Sequence, residues 1–153
     1  MTLAELLLFV HVVAVITWLG GSFMLGLLLE RAQRAQDEAT VLGISNTADF
    51  LGKAVFNPAG LLTLAAGVWL VIETDLEFSE AWISIGFLGI ATGAILGMAF
   101  YPKAFERVRA GIAADGLLGN ETLSALRRLR VVSSAELLLL IVVVWAMVFK
   151  PGA

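Results

Sequence analysis

From Leu3 to Leu29 the chain is apolar or small at nearly every position, with Glu5 at its start and His11 as its one later ionisable side chain. Three further runs of this kind follow, about Pro58 to Ile72, Ala81 to Tyr101 and Ser134 to Phe149. Continuous apolar runs of this length predict helices crossing roughly 30 Å of hydrocarbon. The second and fourth are short for the task, so their flanking turns are expected to complete the crossing. The fold class that follows is all-α, a transmembrane four-helix bundle formed by residues 1–153 as a single domain, with no internal repeat.

Composition agrees with the pattern. Of 153 residues, 59% are hydrophobic and 15% charged, and a mean hydropathy of +0.93 is beyond what a soluble domain conceals. Every lysine and arginine except Lys150 lies in the links after the first and third runs: Arg31, Arg34 and Lys53, then Lys103, Arg107, Arg109, Arg127, Arg128 and Arg130. Between the second and third runs stand only acids, Glu73, Asp75, Glu77 and Glu80. The positive-inside rule makes the basic side cytoplasmic, with N-terminus and C-terminus outside, as expected of a multi-pass protein of a bacterial inner membrane. The first run lacks a basic n-region and is longer than a signal h-region, so it reads as a retained helix. Without cysteine there is no disulfide, thiolate site or c-type haem attachment.

Helix-start signals set the expected boundaries. Thr2 with Glu5 and Ser133 with Glu136 have capping-box spacing, and Asn57 before Pro58 reads as a cap with proline at the first helical position. Glu136 is thereby expected to be a capping or interfacial carboxylate. The link Glu30–Lys53 reads as a continuation of the first helix and a second stretch after Gly43. In the link Pro102–Val132, Tyr101-Pro102 reads as a break, Gly116 to Asn120 as a loop, and Leu123 to Arg130 as a basic helix at the membrane surface, enforcing topology or meeting anionic headgroups. Gly86, Gly89, Gly93 and Gly97 share one helix face, suited to close helix packing or to a flat ligand slot.

Candidate chemistry centres on His11, the only histidine, with Trp18 two helical turns along the same face. An imidazole in lipid needs a partner: a threonine, serine or free carbonyl, or a metal or haem. Lys150, closing the fourth helix at the same outer surface, is placed to meet a haem propionate. One histidine supplies one axial ligand, and the other would come from Met24, Met98, Met147, a histidine of a second copy, or nothing at all. The acidic loop lacks the ordered oxygen pattern of a calcium site. No phosphate loop, dinucleotide fingerprint, nucleophile elbow or zinc spacing is present, and no basic aromatic surface suggests nucleic acid.

The segment HVVAVITWLGGSFMLGLLLER, with His11 seven residues before Trp18, resembles the first helix of a superfamily of small bacterial membrane proteins. That superfamily includes the copper-resistance protein CopD, the haem-containing oxidase HemJ and a branch of predicted integral membrane proteins without assigned activity. NPAGLLTLAAGVWLV resembles its second helix, and VVWAMVFKP its usual close. The resemblance implies His11 as haem ligand and Lys150 as a contact for a ligand's anionic edge. HemJ-like proteins carry a lysine soon after a tryptophan at the start of helix three; here Trp82 is followed by Ile83, Ser84, Ile85 and Gly86, so the oxidase reaction is not carried over.

The function expected is thus that of a small integral membrane protein, not assigned as an enzyme. It would bind b-type haem through His11, with Trp18 and Lys150 as further cofactor-site residues, for redox or haem handling with electron carriers or quinone as partners. Two alternatives stand beside it. One is a non-catalytic module packing through its glycine faces into a homo-oligomer or larger membrane complex. The other is metal-ion permeation, with His11 and the methionines as ligands.

Overall fold

The Thr2 side chain accepts from the Glu5 backbone while the Glu5 carboxylate accepts from the Thr2 N–H, completing the capping box that the spacing predicts. From this start helix α1 runs unbroken over Leu3–Arg34 in the computed structural model, which describes residues 1–152. Three more long helices follow, α2 (Glu38–Glu73), α3 (Ala81–Asp115) and α4 (Asn120–Phe149). All four are long and apolar enough to cross a membrane, and no strand occurs among the described residues. The chain runs up and down, so both termini and the loop before Ala81 share one end of the bundle. The turns at Ala35–Asp37 and Gly116–Gly119 lie at the other, together with most of the basic residues.

Two expected boundaries are corrected. Asn57 is no cap and Tyr101-Pro102 is no break, because α2 and α3 pass through both without ending. Proline has no N–H, and its ring crowds the carbonyl four residues back. In lipid the carbonyls so released have no water to turn to. Each helix answers by widening one turn just before its proline: Gly52–Phe56 and Leu96–Phe100 are π-helical. The Asn57 N–H reaches back to the Gly52 carbonyl and the Tyr101 N–H to the Leu96 carbonyl.

The links are also more structured than the sequence suggested. Helix α2 begins at Glu38 rather than after Gly43, with the Asp37 side chain accepting from the Thr40 N–H at 3.0 Å. The Thr40 hydroxyl and N–H hold the Asp37 carboxyl below its ordinary range, so the cap is complete at neutral pH and is lost as pH falls through that lowered value. The basic stretch of α4 is continuous with its membrane span, and two of its three leucines turn inward. Leu126 and Leu129 join Leu29, Val41, Phe105 and Val108 in the larger of two apolar cores. Arg109 ties this cap together, donating to the Ser45 carbonyl at 2.6 Å and pairing with Asp49 at 3.2 Å. Glu38 accepts from the Leu117 N–H at 2.8 Å, fastening the α3–α4 turn to the start of α2.

At the terminal end a smaller core gathers Val71, Trp82, Ile83 and Ala146. There the glycine face of α3 is filled from within the chain: Gly86 by Met147, Gly89 by Val143 and Gly93 by Trp18. A Cβ on Gly89 would lie 2.6 Å from Val143 Cγ2, whereas one on Gly60 would meet nothing within 4 Å. Gly89→Leu is therefore expected to lower stability in detergent by roughly 1–3 kcal/mol through overpacking, and Gly60→Ala to cost nothing. Thermal unfolding of the two variants beside wild type checks the contrast.

Candidate functional site

His11 is half-buried on α1, facing α2. Its Nδ1 lies 2.8 Å from the Thr63 carbonyl oxygen. A carbonyl can only accept, so Nδ1 carries the proton and Nε2 of the neutral ring keeps a lone pair. Gly67, one turn beyond Thr63, makes the approach possible, since a Cβ there would sit 3.0 Å from the ring at both Cε1 and Nδ1. The partner is thus a backbone carbonyl, one of the options open to a membrane histidine. Beside it, Thr63 Oγ1 is buried without a hydrogen-bond partner.

Trp18 lies two turns further toward the basic end, about 10 Å along the helix axis from His11. Its ring edge fills the notch at Gly93 of α3, and Glu136 of α4 reaches the same notch, with Oε1 3.5 Å from where a Gly93 Cβ would stand. Glu136 is therefore not the capping carboxylate expected of it. It is buried at 6% exposure in the middle of a continuous helix, and its Oε2 accepts from the Tyr101 hydroxyl. Ser133, its supposed capping partner, returns its hydroxyl to the Arg130 carbonyl at 3.1 Å. Among the described residues, Glu136 Oε1 has no protein hydrogen bond.

These groups wall a cavity of about 500 Å³ between the helices. Trp18, Gly93, Asn57, Tyr101 and Glu136 are part of its lining, with Arg130 toward the basic end. Both π turns contribute to the wall. The turn in α2 brings in Gly52 and Phe56 and delivers Asn57, and the turn in α3 brings in Gly97 and Met98 and delivers Tyr101. Across the gap, Asn57 Oδ1 is 3.5 Å from the position of a Gly97 Cβ, so the two widened turns face each other. The arrangement offers a long apolar space with an acceptor oxygen, a phenol and an amide along its length.

The sequence-predicted residues are not brought into one place. Trp18 lines the cavity, but His11 and Lys150 do not. Lys150 ends α4 in a left-handed conformation with its ammonium 5.1 Å above the Trp82 ring. The methionines do not converge either: Met147 packs on Gly86, while Met24 and Met98 are 51% and 70% exposed. Among the described residues no group of three or more His, Asp or Glu side chains is arranged to hold a metal ion.

Sequence reasoning missed Tyr101, Asn57 and the inward direction of Glu136. A signal was available in the repeated Phe-x-Pro, Phe56-Asn57-Pro58 and Phe100-Tyr101-Pro102, which marks both π turns. Because the Tyr101 hydroxyl is the one protein donor to Glu136 among the described residues, Tyr101→Phe is expected to strand a buried acceptor and lower stability by about 1–3 kcal/mol. Adding Glu136→Leu to that variant is expected to recover much of the loss. Thermal unfolding of both single variants and the double variant gives the coupling.

No curated protein and no solved structure matches the chain. A family model does, over residues 5–151, a stretch that runs from the capped start of α1 through the Lys150-Pro151 close. With four apolar helices and nearly its whole length covered, the chain belongs to the family described as predicted integral membrane protein (DUF2269).

Proposed function

We propose that the chain is a non-catalytic binding protein of the bacterial inner membrane that holds a hydroxyl-headed amphiphile, such as an isoprenoid quinol, between its helices. The observation that carries the reading is Glu136: a carboxyl group buried in a membrane helix on the wall of an apolar cavity of about 500 Å³, with one oxygen satisfied by Tyr101 and the other not bonded by the protein. Burying a carboxyl there is costly, and such groups in membrane spans mark functional sites by default. A ligand hydroxyl donating to Oε1 would satisfy it, with Asn57 beside it as a second polar partner and the surrounding leucines and phenylalanines receiving the tail. Glu136→Leu removes the acceptor and Gly97→Leu fills the space. Each is expected to weaken binding of a short-chain quinol, measured by thermal shift or by quenching of tryptophan fluorescence, by about tenfold or more. Unchanged affinity in both variants would sink the reading.

A second reading, b-type haem on His11, is favoured by the Nδ1–Thr63 contact. An imidazole whose Nδ1–H is tied to a carbonyl has its Nε2 lone pair oriented for an axial bond. The unpartnered Thr63 Oγ1 beside it is a further polar group with capacity to spare. The donor set fits one axial bond, with the sixth position left open or completed by a second copy of the chain. Haem would supply one-electron redox chemistry, and kinship to CopD and HemJ would belong with this reading. The check is an absorption spectrum of protein expressed with ample haem and reduced with dithionite. A Soret band lost in His11→Ala supports it, and a colourless wild type after haem is added back removes it.

The basic end is taken to face the cytoplasm. Because the chain has no cysteine, Ser79→Cys and Asn120→Cys each introduce a unique thiol. An impermeant maleimide applied to spheroplasts is expected to label Cys at 79 and spare Cys at 120, and the reverse pattern would invert the assignment.

A further inference from the structure

We propose that a groove between the basic-end segments of α3 and α4 binds the phosphodiester headgroup of an anionic membrane phospholipid. It is separate from the cavity at Glu136 and does not depend on what that cavity holds. The groove encloses about 610 Å³ and carries Lys103 and Arg107 on the α3 wall, with Arg128, Ser124 and Asn120 facing them from α4. Glu121 is its one acid.

Three features point to an anion. Lys103 and Arg107 lie one turn apart on α3, as do Asn120, Ser124 and Arg128 in succession on α4, so both walls present their polar groups to the same space. Three cations then converge around a single acid, and among the described residues none of the three forms a salt bridge. This differs from Arg34, Arg109 and Arg130, which are taken up by Glu30, Asp49 and Gln33. The Arg128 guanidinium, though exposed, also lies 5.7 Å above the Phe100 ring, which sets its charge over an apolar floor.

Depth identifies the anion. Counting 1.5 Å per residue from the terminal end, Lys103 and Arg128 both lie about 32 Å along their helices, and Arg107 and Ser124 about 38 Å. The hydrocarbon is roughly 30 Å thick and the headgroup layer extends several ångströms beyond it. The cations thus form two layers in the headgroup zone, while Phe100 and Ala99 below them meet the start of the acyl chains. A phosphate at the Lys103–Arg128 level and a polar headgroup at the Arg107–Ser124 level would match this order.

The test uses the full chain in nanodiscs of phosphatidylcholine with or without phosphatidylglycerol. Retained lipid is read by native mass spectrometry and thermal stability by unfolding. Wild type is expected to retain phosphatidylglycerol and gain stability from it. Arg107→Gln/Arg128→Gln is expected to lose about tenfold in retention, while Arg31→Gln/Arg127→Gln, which removes equal charge at the same end, keeps it. Arg107→Lys/Arg128→Lys preserves charge and is expected to retain part of the binding, which separates loss of the site from loss of the fold. Equal loss in the groove and control variants, or equal retention of the two lipids, would overturn the proposal. So would binding of inorganic phosphate in detergent as tightly as the lipid, which would reassign the groove to a soluble anion.

Discussion

In hydrocarbon a backbone carbonyl without a donor has no water to fall back on, and this constraint shapes the middle of the molecule. Two prolines, Pro58 and Pro102, sit where α2 and α3 enter the membrane from the basic end. In a soluble protein each would be a reasonable place to end a helix. Here both helices continue, and the missing N–H is absorbed by a π turn whose wider ring restores a partner to the residue just before the proline. The turn also rotates the helix beyond it relative to the helix before it. Asn57 and Tyr101, which directly follow the two turns, both line the cavity, so the repair of a backbone defect also supplies its polar wall.

Packing then divides the bundle along its axis. Beyond the membrane at the basic end the helix extensions make a dense apolar core, in which Val41 and Val108 are fully buried. At the terminal end Met147 and Val143 fill the glycine notches of α3. Between the two, small residues keep α3 slim and no large side chain closes the gap, which leaves the cavity. Helices in lipid gain little from burying one apolar surface against another, because the acyl chains are as apolar as leucine. A void in the membrane zone is therefore tolerated if the ends hold, and the water-facing cap with its Arg109 and Glu38 ties supplies that hold. Three glycines of the α3 stripe, Gly86, Gly89 and Gly93, are thus packed from within this chain, while Gly97 stays on the cavity wall.

The span count, the Thr2–Glu5 cap, the turn around Gly116–Asn120 and the close at Lys150 were all legible, because each rests on a local signal of hydrophobic run, capping pair or chain-reversal glycine. What misled were local signals that tertiary context overrides. Ser133 and Glu136 have the spacing of a capping box, yet Leu126 and Leu129 bury against α3 and carry the helix through them. Once the helix is continuous, Glu136 must point somewhere, and the face it shares with Leu129 and Leu140 is the inward one. His11 was legible as a residue needing a partner but not as to which, since Thr63 is 52 positions away and only the fold brings it near.

The two buried polar clusters differ in a way that bears on function. At His11 the imidazole is seated against backbone with Gly67 as its slot, so the ring is fixed and helix α1 is pinned to α2. A carbonyl acceptor satisfies one ring nitrogen at almost no cost, because it keeps its own helical bond. At Glu136 the partner is a side chain, Tyr101, and only one carboxyl oxygen is used. If Glu136 served stability alone, a leucine packed on Gly93 and Trp18 would do at least as well, since buried polar pairs rarely outperform apolar packing of similar volume. A carboxyl group on the cavity wall where an apolar residue would fit, with one oxygen not bonded by the protein, is what the proposed ligand would account for. On that argument the proposed ligand belongs at the Trp18–Tyr101–Glu136 wall, while the His11 contact pins α1 to α2.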